Sequence, residues 1–531
     1  MDSIREFTID SPNAYINREL SWLSFSRRVL ELVEDTTIPL FERVKFAGIM
    51  GMIYDEFAMK RIGGLRRKIE KKISRISPDG RTPKEELSLC RAELNRQTEI
   101  LSNLVEYTLR PLLSKAGVTF FNYEQLNNEQ RTEMETYFRE SVEPILTPLA
   151  VDIGHPFPFI SNLGLNVAGM LYQHNKTNPS FIRRKVPPNR PRWVPLAGGG
   201  YVPLEQIIAH NLKSIYPEEQ CECQFFRVTR GAKDDPWDRM PIDDINRDIS
   251  PGSLISMVSA ELTARKFAGV VRIQVSSGMS EQLKQWLVEQ LNADVNDLVE
   301  TNGLLALGDL VSFHPENNFS EYYDTPHIPI THPRLRHKDL NDTSTIFKEI
   351  QKGNILLHHP YHDFDTSVLR FLENAARDPQ VLAIKLTIYR TSRNSPIIKA
   401  LIAAAKRGKQ VAVLVEITAR FDEEPNIAWG EELEKAGAHV VYGMERLKTH
   451  VKLALVIREE EEKLCRYVHV STGNYHTGTA KLYEDLGLLS CESELGASVA
   501  NVFNELTGAT LIYPLILLTN CGRLKYIQTS R

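Results

Sequence analysis

From residue 367 to residue 442 the chain alternates short apolar runs with amphipathic segments, and that alternation restricts the fold more than any other feature. The spacing predicts helices over 367–376, 396–407 and 426–435, and strands over 381–389, 410–417 and 439–442. Two further apolar runs, 453–457 and 466–470, read as strands that lie side by side. Strands and helices alternating at this length call for a parallel or mixed α/β sheet. Functional residues of such a sheet collect where strands end. Three ends are marked: Tyr389-Arg390, Arg420-Phe421-Asp422-Glu423-Glu424, and His450 at the start of its own strand.

His450 and Lys452 stand in Leu447-Lys448-Thr449-His450-Val451-Lys452, ahead of the first run, and Ser471-Thr472-Gly473-Asn474 closes the second. Period-two alternation puts His450 and Lys452 on one face, near Gly473 and Asn474. A neutral imidazole is a nucleophile toward phosphorus, an ammonium holds phosphate oxygens, and a glycine turn admits backbone N–H groups to the same anion. The pattern points to phosphoryl transfer through a phosphohistidine. The structural alternative is a strand-edge histidine satisfied by hydrogen bonds, and spacing alone leaves both open. A second triplet, His174-Asn175-Lys176, has no strand and turn after it and reads as a surface loop.

Arg390 and Arg420 follow strands, where a guanidinium suits a two-pronged grip on phosphate. Taken singly, each is better explained by pairing with a carboxylate, and Asp422, Glu423 and Glu424 are at hand. The acidic trio has the chemistry to hold Mg²⁺, yet capping of the following helix is the better reading for most of it. Any Mg²⁺ is expected to ride on substrate phosphates. Neither a G-x-x-x-x-G-K-[ST] loop nor a G-x-G-x-x-G after a strand occurs, which favours a histidine route.

A chain of 531 residues exceeds one hydrophobic core. The expectation is a multidomain α+β and α/β protein: a helical domain over 12–115, an α+β domain over 116–330 closed by the linker 324–329, and an α/β catalytic domain over 331–506. Residues 507–531 form a divergent tail. The dense basic run from Lys60 to Arg75 reads as a solvated helix face. With 64 basic and 68 acidic residues nothing global calls for nucleic acid, so a polyanionic substrate needs a local basic site. Six scattered cysteines without a C-x-x-C pair fit reduced thiols, and Cys221-Glu222-Cys223 reads as structural. The N-terminus lacks a basic segment leading into an apolar one, and the apolar run 511–518 is too short to span a bilayer, so a cytoplasmic chain is expected.

The segment 359–489 resembles the bacterial polyphosphate kinase family. The matching stretches include Pro360-Tyr361-His362, Val381-Leu382-Ala383-Ile384-Lys385, Ile388-Tyr389-Arg390, Ala419-Arg420-Phe421-Asp422-Glu423-Glu424-Pro425-Asn426-Ile427 and the His450 and Gly473-Asn474 segments. Thr479-Ala480-Lys481-Leu482-Tyr483-Glu484-Asp485 continues them, and Glu19-Leu20-Ser21-Trp22-Leu23-Ser24-Phe25 and Tyr54-Asp55-Glu56-Phe57 resemble that family's helical domain. The resemblance implies reversible transfer of the ATP γ-phosphate to polyphosphate through His450, with Lys452 assisting. It implies Mg²⁺ as cofactor, Arg390 and Arg420 as the magnesium- and phosphate-associated arginines, Tyr483 stacking on adenine, and a phospholipase-D-like catalytic domain. Homo-oligomers, in some members at the inner membrane surface, are implied as well.

Two departures stand out. Ile53 occupies the position of a nucleotide-contacting Asn, and the resemblance fades after Phe503-Asn504-Glu505, which predicts a truncated chain without the second phospholipase-D-like domain. Three readings follow: an active polyphosphate kinase, an impaired fragment that binds polyphosphate or ATP or assembles with a complete subunit, and a phospholipase-D-type phosphodiesterase. The last is disfavoured because Ile457 stands where such enzymes carry an Asp.

Overall fold

Helix Arg18–Glu34 starts at Asn17, whose side-chain oxygen accepts the N–H groups of Glu19 and Leu20, and helix Pro83–Leu104 starts in a reciprocal Thr82–Glu85 capping box. Between them run helices Leu40–Phe57 and Gly63–Glu70. Leu23, Leu30, Phe41, Met50, Tyr54, Phe57, Leu94 and Leu101 interlock as one core. Gly48 and Gly51 let the segment 307–311 cross this bundle: a Cβ on either would stand 2.6 Å from its backbone.

The computed structural model describes residues 8–73, 75–146, 149–151, 158–172, 180–215, 220–231, 268–315, 319–336, 342–391, 394–417, 423–443 and 449–508. The chain divides into a first compact unit (1–234 and 263–325) and a second (235–262 and 326–531). The first adds a six-stranded sheet to the helices. Its strands are β1 (Leu149–Val151), β2 (Leu165–Tyr172), β3 (Ser180–Lys185), β6 (Gln220–Arg230), β7 (Val270–Ser276) and β8 (Leu298–Thr301), in the order β1-β3-β2-β6-β7-β8. A ribbon of β4 (Trp193–Pro195) and β5 (Tyr201–Pro203) accompanies it. The basic run after Lys60 is more than a solvated face: Arg66 reaches Asp297 at 2.5 Å, and Arg91 of the later helix also holds Asp297.

The second unit is a seven-stranded mixed sheet. Its strands are β9 (Ile355–His359), β10 (Val381–Ile388), β11 (Gln410–Val415), β12 (His439–Tyr442), β13 (Lys452–Glu460), β14 (Lys463–Ser471) and β15 (Asp485–Ser490). The order is β12-β11-β10-β13-β14-β15-β9. β10, β11 and β12 run parallel, as the alternation predicts, and β13 turns antiparallel against β10. The start of β13 therefore lies at the carboxyl ends of β10 and β11. Helices Thr345–Gln351, Arg370–Arg377, Pro396–Lys406 and Glu423–Lys435 bury one face of the sheet. Helix Ser493–Gly508 covers Leu453, Leu455 and Val468 on the other through Val499 and Phe503.

Candidate active site

Three connections fix the start of β13. Thr387 of β10 donates its hydroxyl to Val451 O (2.8 Å) and accepts the Leu453 N–H (3.0 Å). The buried Glu416, just beyond β11, accepts the Thr449 N–H at 2.7 Å. Asn426, fully buried, donates to both Tyr389 O and Glu416 O at 3.0 Å, tying the ends of β10 and β11 together. His450 is thereby held on backbone anchored to two neighbouring strands.

The His450 ring is exposed, while Lys452 is 3% exposed. Lys452 Nζ lies 3.1 Å from His450 Nδ1 and donates to His450 O at 2.5 Å. Tyr389 packs edge-on to the imidazole, ring centres 5.2 Å apart, with Lys452 Nζ 5.3 Å above its face and the Arg390 guanidinium 6.0 Å away. Desolvation, then the charge of Lys452, holds His450 below the ordinary histidine pKa. Burial also lowers Lys452, and Asp485 opposes that shift. The result is a neutral imidazole beside a desolvated cation, which suits nucleophilic attack on an anionic phosphate.

Strand pairing extends this face. Lys452 faces Ser471 on β14, Ser471 faces Gly487 on β15, and Asp485 faces His359 on β9. Gly473 N donates to Ser471 Oγ at 3.0 Å and Thr472 Oγ1 to Asp485 Oδ1 at 2.7 Å. A Cβ on Gly473 would stand 2.7 Å from Asp485 Oδ2, so the turn lies flat on that carboxylate. The half-buried Asn474 keeps its Oδ1 without a hydrogen-bond partner among the described residues. Behind it, the buried Tyr475 hydroxyl lies 2.9 Å from His469 Nδ1. Burial pushes His469 down to about 3.

His450, Lys452, Tyr389 and Arg390 thus come together, and the turn bearing Asn474 adjoins the strand opposite Lys452. Tyr483 stands 62% exposed, its ring open to a stacking partner. Ile53 belongs to the first unit, on helix Leu40–Phe57, and packs partly buried against the helical core. Arg420, Lys448, His174 and residues 509–531 lie outside the described residues. Helix Glu423–Lys435 begins within the acidic trio. No group of three or more His, Cys, Asp or Glu able to hold a metal occurs among the described residues, and an arginine has no lone pair to offer one. A magnesium ion at Arg390 and Arg420 therefore fits only as a companion of bound phosphate. Thr387, Glu416 and the His469–Tyr475 pair carry no local sequence signal, and Asn426, though it stands in a family-matching stretch, shows its tie to two strand ends only once its helix is packed on the sheet.

Three family models match: the polyphosphate kinase N-terminal domain over residues 15–121, the middle domain over 129–313 and C-terminal domain 1 over 345–511. The last match passes the expected fading point after Glu505. The chain is 42% identical to a polyphosphate kinase of Thermosynechococcus vestitus, over 94% of this chain and 71% of that protein. Identity is also 42% to one of Mycobacterium avium, over 93% and 68% respectively. The crystal structure of polyphosphate kinase from Porphyromonas gingivalis superposes with a TM-score of 0.74 at 25% identity, covering 93% of this chain and 70% of that one. These matches run over nearly the whole of this chain and over 68 to 71% of each of these relatives. No helix among the described residues is long and apolar enough to cross a membrane.

Proposed function

The chain belongs to the polyphosphate kinase family, and on that premise we propose that it moves the ATP γ-phosphate reversibly onto inorganic polyphosphate through a phosphohistidine at His450. The observation that carries this reading is the contact of Lys452 Nζ with His450 Nδ1 at 3.1 Å, on a backbone pinned to two other strands. A ring nitrogen of neutral His450 attacks the γ-phosphorus. The N–P bond forms as the bond from phosphorus to the β,γ-bridging oxygen breaks, and ADP leaves with that electron pair. The terminal oxygen of the polymer then attacks the phosphohistidine, and the imidazole is released.

Lys452 and Arg390 hold non-bridging oxygens during both displacements, with Arg420 in the same role, and Asn474 contributes its amide from the Gly473 turn. Tyr483 stacks on adenine, and an isoleucine such as Ile53 has no side-chain hydrogen bond to offer a nucleotide. Mg²⁺ carried by the nucleotide phosphates neutralises their charge when bound. The division into helical, α+β and phospholipase-D-like domains (12–115, 116–330, 331–506) belongs to this proposal, as do homo-oligomerisation and a peripheral membrane location. Ile457, partly buried on β13 against the last helix, argues against phosphodiesterase chemistry, which needs a carboxylate there.

The test is incubation with γ-labelled ATP and Mg²⁺ beside His450→Ala. Acid-labile, base-stable label on the wild type alone, chased into polyphosphate, is the expected result. No label on the wild type overturns the reading.

A further inference from the structure

The first unit contains a cleft of about 810 Å³ between the loop 161–165, the segment 185–193 and the segment 306–314. Four cationic side chains line it, and two are already engaged: Arg227 binds Asp55 at 2.7 Å, and Arg192 binds Glu205 at 2.6 Å and Asp309 at 3.0 Å. The other two, Lys185 at the end of β3 and Arg190 after Pro187-Pro188, are exposed, and neither meets a carboxylate among the described residues. The cleft therefore carries surplus positive charge on a chain that is net acidic.

Its frame is rigid. Leu163 and Ala306, both in the lining, sit in the left-handed region at φ 60° and 49°, a conformation that costs a side chain and persists where the surroundings enforce it. Leu163 N donates to Val228 O at 2.8 Å, and Asn162 Oδ1 accepts the Arg230 N–H at 2.8 Å. Also in the lining, Arg227 Nε and Ser161 Oγ are buried with no hydrogen-bond partner among the described residues. The larger lining rings are engaged within the protein: Arg192 covers Trp193 at 4.7 Å, and Tyr201 and Phe313 pack edge to face at 5.1 Å, which leaves the imidazole of His314 as an exposed ring in the lining. Surplus cations and a volume that holds several phosphates favour a linear inorganic polyanion.

We propose that this cleft binds a chain of phosphates, a polyphosphate-tethering site on the first unit built around Lys185 and Arg190. The inference rests on the proposed polyphosphate chemistry, and binding tests it apart from catalysis. The His450→Ala chain is titrated with medium-chain inorganic polyphosphate and separately with ATP, at low and high salt, beside the same chain carrying Lys185→Ser and Arg190→Ser. The expected result is a loss of polyphosphate affinity of about tenfold or more, a flatter salt dependence and unchanged ATP affinity. The charge-keeping pair Lys185→Arg and Arg190→Lys retains binding, which separates lost charge from lost fold. Unchanged polyphosphate affinity in the Ser variant overturns the proposal, as does absence of polymer binding by the His450→Ala chain. A loss confined to ATP overturns it in favour of a nucleotide site. Labelling of the wild type by γ-labelled ATP, run in parallel, reports on His450 independently.

Discussion

At the residue scale, Lys452 controls both the position and the protonation of His450. Its charge helps keep the imidazole neutral, so its removal raises the His450 pKa. Lys452→Met is expected to shift the acid limb of phosphohistidine formation to higher pH and to slow labelling on the order of 10²-fold, read from a pH profile of label incorporation. His469 acts on stability instead. Its folded pKa of about 3 lies below the ordinary 6.5, so the folded state binds fewer protons than the unfolded chain between those values. That contribution is fully present above pH 6.5 and is lost as pH falls toward 3. Between pH 7 and pH 5 the loss amounts to about 2 kcal/mol. Urea unfolding at the two pH values should show it, and His469→Leu should flatten the difference.

At the scale of elements, the sheet's response to a cut stitch is the informative test. Thr387→Val removes both hydrogen bonds that the Thr387 hydroxyl makes to the start of β13. The expected cost is about 2 kcal/mol, seen as a lower melting temperature together with slower labelling of His450. The pair β13–β14 is legible because apolar residues run through both strands and a glycine turn ends the second. β10, β11 and β12 are legible from their alternation with helices. β9 and β15 are not: Ile355–His359 is short and runs into His-His-Pro, and Gly487 interrupts Asp485–Ser490. Gly487 has a tertiary reason, since a Cβ there would stand 2.7 Å from His469 Nε2. The same division holds for the site. His450 and Lys452 are neighbours in sequence and can be read directly. Their supports at Thr387, Glu416 and Asn426 lie on other strands and helices and become neighbours only through register.

On the scale of the whole molecule, each unit rests on its own buried polar ties. Asp297 is fully buried between Arg66 and Arg91, and burial raises its pKa despite both cations. Asp297→Ala leaves two arginines facing a void. It is expected to cost about 3 kcal/mol, followed by the fluorescence of Trp22, Trp193 and Trp286 in that unit. The second unit has a different exposure to error. β9 is the first strand of its sheet to be synthesised, yet among the described residues it pairs only with β15, the last, and the contact of His358 with Glu484 spans 126 residues. Closure of such a long loop comes late in folding. On a ribosome, Ile355 and Leu357 have emerged long before the strand that covers them exists. The edge of the sheet that carries the nucleophile is thus the part of this unit most in need of shelter while the chain is being made.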